Sequence, residues 1–94
     1  VTLAHSASKN LMELIKESDV VIAAMGSAKF IKAEVVKKGS VLVDVGITRD
    51  GNQLVGDFDP KVIELATAFA PMPGGVGPMT RAMLLTNVVE TCER

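Results

Sequence analysis

The sequence predicts an α/β domain with a mainly parallel sheet, on three observations. Two short β-branched runs, Val20 to Ala24 and Val41 to Val45, have the continuous apolar character of strands covered on both faces of a parallel sheet. Segments with apolar residues at helical spacing alternate with these runs through short connections, which is the pattern of crossover units with right-handed connections. A glycine-rich loop, Pro73 to Gly77, then leads into a final stretch of helical periodicity.

In chain order, Val1 to Ala4 is a strand candidate that ends in the polar run His5-Ser6-Ala7-Ser8-Lys9. Asn10 followed by Glu13 resembles a capping box, and Leu11, Met12, Leu14 and Ile15 form a helical face behind it. Ser18-Asp19 breaks this helix, the Val20 strand follows, and Met25-Gly26-Ser27 ends it. Phe30 to Val36 is a short helix candidate closed by Lys37-Lys38-Gly39. After the Val41 strand and Gly46, Asp50-Gly51-Asn52 marks a turn between Ile47-Thr48-Arg49 and Gln53-Leu54-Val55-Gly56, so a hairpin is placed there. Asp59-Pro60 starts a helix, Asp as cap and Pro at the first position. Thr67 to Ala70 is the last strand.

The stretch Pro73-Gly74-Gly75-Val76-Gly77-Pro78-Met79-Thr80 is where chemistry outweighs packing. Three glycines in four positions allow positive φ and close approach of a ligand, and the two prolines stiffen the turn. Pro78 suits a first helical turn, and Ala82, Leu84, Leu85, Val88, Val89 and Cys92 continue at helical spacing. Unpaired N–H groups and the positive end of the helix dipole favour an anionic or carbonyl-bearing ligand there. The same residues equally serve a plain strand-to-helix connection, and the loop satisfies neither G-x-G-x-x-G nor a Walker A pattern. In a parallel α/β sheet, ligands bind outside the carboxyl ends of the strands. Those ends carry His5-Ser6, Ala24-Met25-Gly26, Val45-Gly46-Ile47 and the glycine loop, which points to a dinucleotide crevice.

Composition narrows the partners. With 48% hydrophobic and 22% charged residues, 94 residues suit one small globular unit. A formal net charge of −1 gives no electrostatic footprint for nucleic acid or an anionic membrane, and 3% aromatic residues give no stacking platform, so a small molecule fits better. The longest apolar run, Val20 to Met25, is too short to span a bilayer, and no signal-peptide pattern opens the chain. The single cysteine, Cys92, excludes an internal disulfide and is read as a buried small hydrophobe of the last helix, in a reducing compartment. The expected location is cytoplasmic, with mitochondria as the alternative. The chain opens on an apparent strand interior without Met, so it is expected to be a piece of a longer protein.

A Rossmann half supplies a glycine turn after its first strand and an acidic residue at the end of its second. The first strand and its pyrophosphate turn have no counterpart here. If Val1 to Ala4 is the second strand, its end presents His5, Ser6, Ser8 and Lys9 and no carboxylate, which favours NADP over NAD with NAD still open. His5, the only histidine, is read as a loop or cofactor-edge residue with no second His for a metal or triad. Asp44, inside a strand pattern, requires hydrogen-bond partners if internal. Asp59 is a cap, and Asp57 is read as solvating the Gly56 turn.

Pro73 to Thr80 with its following Met-Leu-Leu helix, Val43-Asp44-Val45-Gly46-Ile47 with Arg49, and Leu54-Val55-Gly56-Asp57 together resemble the cofactor domain of the bifunctional methylenetetrahydrofolate dehydrogenase/cyclohydrolase family. The resemblance covers nearly the whole chain, and its eight-residue loop is specific. It implies a truncated Rossmann-like domain, residues 1–94 being the carboxyl-terminal part of a two-domain enzyme. It implies NADP as cofactor, with Ser6 at the adenosine 2′-phosphate and Ala24, Val45, Ile47 and Thr80 lining the cofactor site. Pro73, Gly74, Gly75, Val76 and Gly77 would flank folate and nicotinamide. The family's catalytic Lys and its Tyr lie in an amino-terminal domain with no counterpart here, so no catalytic residue is assigned in this chain and the chain alone is expected to be inactive. A folate substrate, the amino-terminal domain and a second copy in a homodimer are the implied partners. Thr48, Ala70-Pro71-Met72 and Met25 depart from the family pattern and bear on fine cofactor geometry. Two other readings stand beside this one: a non-catalytic nucleotide- or anion-binding module, and a fragment that self-associates through an uncovered apolar sheet.

Overall fold

The computed structural model describes all 94 residues. Its order is α1 (Leu11–Glu17), β1 (Val20–Ala23), a 3-10 turn (Ala33–Val35), β2 (Val41–Asp44), β3 (Thr48–Asp50), β4 (Gln53–Val55), a second 3-10 turn (Pro60–Glu64), β5 (Ala68–Ala70) and α2 (Val76–Glu93). Strands β1, β2 and β5 form the predicted parallel sheet in that order, with Ile22 beside Val43 and Val43 beside Ala70. Strands β3 and β4 form the predicted hairpin, closed by Gly51 at φ 63°. No helix is long and apolar enough to cross a membrane.

The sheet is covered on one face only, which corrects the expectation of strands covered on both. Val21, Ala23, Leu42 and Asp44 are buried, while Val20 and Ile22 remain 55% and 68% exposed. The buried face receives Ile15 of α1, Ile31, Val36, Phe58 and Val62, and Phe58 meets Phe69 edge to face at 5.8 Å. Apolar burial of this kind contributes about 1.5–3 kcal/mol for each large side chain fully removed from water. Only 13 residues are buried, so the core is small and each member matters.

Several elements differ from expectation for identifiable reasons. Val1 to Ala4 is exposed and forms no strand. A groove of about 320 Å³ separates residues 2–5 from β1, and an extended segment without a neighbour gains no ladder hydrogen bonds. The Phe30 to Val36 segment is no α-helix, because Ile31 is bridged to Phe58. Its N–H donates to the Asp57 carbonyl at 2.9 Å, and its own carbonyl accepts from Asp59 N–H at 2.8 Å. Only Ala33–Val35 is left to coil. Asn10 adopts the left-handed conformation at φ 60° and makes no side-chain cap, so the expected capping box is not formed. The Asp59 cap is present, its carboxylate accepting from Lys61 N–H at 3.0 Å, although the element it starts is a 3-10 turn. Cys92 is exposed, not buried, because α2 lies against no part of the sheet from Gly77 onward.

Candidate functional site

Because β1, β2 and β5 run parallel, their carboxyl ends share one edge of the sheet. Ala24 follows β1 there, and Val45 and Ile47 follow β2. The two ends are tied directly: the N–H groups of Val45 and Gly46 both donate to the Ala23 carbonyl, at 2.8 and 3.1 Å. Val45 and Ile47 are 39% and 54% exposed, so both side chains are open to a ligand. Ser6 follows the groove-lining His5 in a turn closed within itself. His5 N–H donates to Ser8 Oγ at 2.8 Å, Ala7 N–H to His5 Nδ1 at 3.1 Å, and Ser8 N–H to the His5 carbonyl at 2.9 Å. His5 is thus a turn residue. The groove is lined by His5, Ala24 and Met25 among others, so the Ser6 turn and the end of β1 border one opening.

The glycine loop follows β5 at the same edge. The Met72–Pro73 peptide is cis, Gly74 takes φ 94°, and Gly75 precedes α2 as its cap. A Cβ on Gly75 would stand 2.2 Å from the Pro71 carbonyl oxygen, so this glycine is demanded by the fold of the loop itself. Gly74 and Gly77 face open space, as does Gly26 after β1 at φ 70°. Backbone bared in this way lets a flat group approach closely. Val76 and Gly77 open α2, so Pro78 lies in the first turn as expected, but the helix takes in the last glycine instead of starting after it. Gly75 has no side chain to cap the helix and Pro78 has no N–H, which leaves the remaining first-turn amides without a side-chain partner. Thr80 sits one turn into α2, where its hydroxyl donates to the Val76 carbonyl at 2.9 Å.

Behind this edge stand two carboxylates. Asp57 does not solvate a turn as expected. It is fully buried, and its Oδ2 accepts from Met25 N–H at 2.6 Å and, more weakly, Gly26 N–H at 3.4 Å, while Oδ1 accepts from Ser27 N–H at 2.9 Å. Asp44, also buried, accepts from Asp57 N–H at 3.0 Å and Phe58 N–H at 3.3 Å, as its strand position required. Gly46 and Gly56 make room for the pair: a Cβ on either would fall about 2 Å from the Asp57 or Asp44 carboxylate, respectively. The sequence reading missed this role of Asp57. Its signal was the reciprocal spacing of the two motifs, Asp44-x-Gly46 and Gly56-Asp57.

The NAD(P)-binding domain model of the tetrahydrofolate dehydrogenase/cyclohydrolase family matches residues 1–94. The chain belongs to this family. Solved structures agree with that membership. A bifunctional FolD methylenetetrahydrofolate dehydrogenase/cyclohydrolase from Campylobacter jejuni superposes at TM-score 0.92 with 38% identity, over 98% of this chain and 33% of its own. The bifunctional enzyme of Thermoplasma acidophilum gives TM-score 0.92 and 38% identity over 98% of this chain and 34% of its own. The Trypanosoma brucei dehydrogenase-cyclohydrolase, solved with NADP cofactor and an inhibitor, gives 0.83 and 36% over 94% and 33%. The chain therefore spans about a third of the length of these members. The three-stranded parallel sheet and its helices match the Rossmann-like NAD(P)-binding domain of these structures.

Proposed function

We propose that this chain is the dinucleotide-binding part of an enzyme of one-carbon folate metabolism. The enzyme oxidises 5,10-methylenetetrahydrofolate with NADP and hydrolyses the methenyl product to 10-formyltetrahydrofolate. The observation that carries the reading is the edge itself: Ala24, Val45, Ile47 and the glycine loop gathered at the carboxyl ends of three parallel strands, in a member of this family. NADP fits the residues present. Gly26 and Gly74 bare their backbone to open space, and the exposed Val45 and Ile47 offer apolar surface to a planar ring. Ser6, with Lys9 three positions on, would take the 2′-phosphate by hydrogen bonding and charge. When bound, the dinucleotide supplies the hydride acceptor, and the protein's task is alignment.

In this reading Pro73, Gly74, Gly75, Val76 and Gly77 would flank the folate and the nicotinamide, and Thr80 would border the cofactor from α2. A folate is the substrate, an amino-terminal domain carries the catalytic Lys, and the whole enzyme is a homodimer. The base is assigned to that amino-terminal domain; in this chain the only His accepts a hydrogen bond within its own turn, and there is no Tyr. The test is turnover by the full-length gene product containing this segment. NADP-dependent formation of the methenyl and then the formyl folate is expected, with neither reaction from the isolated chain. A full-length protein that binds NADP but turns over no folate would make the binding-module reading the better one, and cyclohydrolase activity in the isolated chain would overturn the assignment of the base elsewhere.

A further inference from the structure

Asp57 is the one buried charged group whose contacts all lead to the candidate site. Three successive amides, Met25 to Ser27, converge on its two oxygens, and this turn directly follows Ala24 at the end of β1. The carboxylate comes from the far end of the hairpin, some thirty positions along the chain, and its own backbone is held by Asp44. No lysine or arginine pairs with it, so backbone donors serve it instead, the Met25 and Ser27 amides by short bonds and the Gly26 amide by a longer one. Gly46 on β2's exit leaves the carboxylate its space. A surface turn with a glycine at positive φ would otherwise be free to rearrange.

We infer that Asp57 is a positioning residue for dinucleotide binding: its carboxylate fixes the Met25–Ser27 turn in the shape that meets the cofactor. The inference rests on the reading of this edge as the NADP site. It also assigns the turn a neutral portion of the dinucleotide, since the three amides are already committed and a buried anion stands behind them.

The test uses the full-length protein and three variants. Asp57→Asn replaces one acceptor oxygen by an NH2 group, which opposes either the Met25 or the Ser27 amide; Gly46→Ala drives a Cβ into the same carboxylate. Both are expected to bind NADPH, followed by its fluorescence, about tenfold more weakly, and to exchange amide hydrogens faster at residues 25–27 than at 41–44. Val62→Ala, which opens a cavity in the core and removes none of the Asp57 hydrogen bonds, serves as the stability control. It is expected to lower the thermal midpoint while leaving NADPH affinity and exchange at 25–27 unchanged. Equal NADPH affinity in wild type and folded Asp57→Asn overturns the inference, as does an affinity loss in Val62→Ala matching that in Asp57→Asn. The wild type decides even if the first two variants do not fold: slow exchange at Met25 and Ser27, slowed further by NADP, supports the role, and fast exchange there overturns it. A wild type that binds no NADPH at all would instead sink the functional reading on which the inference rests.

Discussion

Gly75 and Gly77 sit two positions apart in the same loop, yet an added methyl group meets opposite surroundings at each. At Gly75 it would lie 2.2 Å from the Pro71 carbonyl oxygen, a backbone atom that cannot swing away. At Gly77 it meets nothing within 4 Å, in a residue already helical. In the full-length protein, Gly75→Ala should therefore cost about 1–3 kcal/mol in denaturant unfolding, while Gly77→Ala should be neutral or stabilising by up to about 1 kcal/mol. Equal effects would count against this account of the loop. Asp44 allows a second prediction. Its removal in Asp44→Ala leaves the buried Asp57 and Phe58 amides without their acceptor, a loss of about 2–4 kcal/mol. Asp44→Asn keeps the side-chain volume and one acceptor oxygen and should cost less; matching losses would mean that the second acceptor oxygen, not the cavity, sets the cost. The need of Asp44 for partners was legible, because a carboxylate in a strand run must be satisfied. Its partners were not, since they lie thirteen positions away on a hairpin whose placement only tertiary packing decides.

Among the elements, the two main strands, α1, the hairpin and the Asp59-Pro60 cap were legible because each rests on local rules: β-branched runs, helical spacing, turn chemistry and capping. Elements that failed were those decided at a distance. Phe30 to Val36 has helical spacing, but Ile31 is claimed by the Phe58 bridge, and Val1 to Ala4 has strand composition without a strand beside it. The Asp59 cap is testable through pH. The Lys61 amide, aided by Lys32 at 3.5 Å, holds the Asp59 carboxyl below the usual carboxylate range against the opposing effect of burial. A pKa lowered in the folded state contributes stability that is present above the unfolded-state value and is lost as pH falls through the folded one. Asp59→Ala should thus be less stable than wild type at neutral pH, with the difference closing as pH drops below the carboxylate range. Asp19, lowered by its hydrogen bond and charge interaction with Lys37, titrates in both proteins and cancels in the comparison. A difference that stays constant down to the acid limit would show that packing of the side chain, not its charge, supports the turn.

At the scale of the molecule, the Cα radius of gyration is 14.9 Å, against about 12 Å for a compact chain of this length. The excess has two visible sources. Helix α2 projects with Leu84, Leu85, Val88 and Val89 all more than half exposed, and the open sheet face presents Val20 and Ile22. Contiguous apolar surface of this kind drives association, and the free edge of β1 adds unpaired backbone groups beside it. The isolated 94-residue chain should therefore self-associate, with a mass in sedimentation that rises with concentration and a broad thermal transition. Ile22→Lys places a charge in the middle of the open face, and Leu85→Glu places one on α2. Each should weaken association by about tenfold if its surface is the one buried between copies. An effect of Ile22→Lys alone would assign association to the sheet, and an effect of Leu85→Glu alone would assign it to α2. A constant monomer mass at high concentration, with one sharp transition, would mean that the chain folds these surfaces away by itself, and α2 would then have to lie against the sheet in solution.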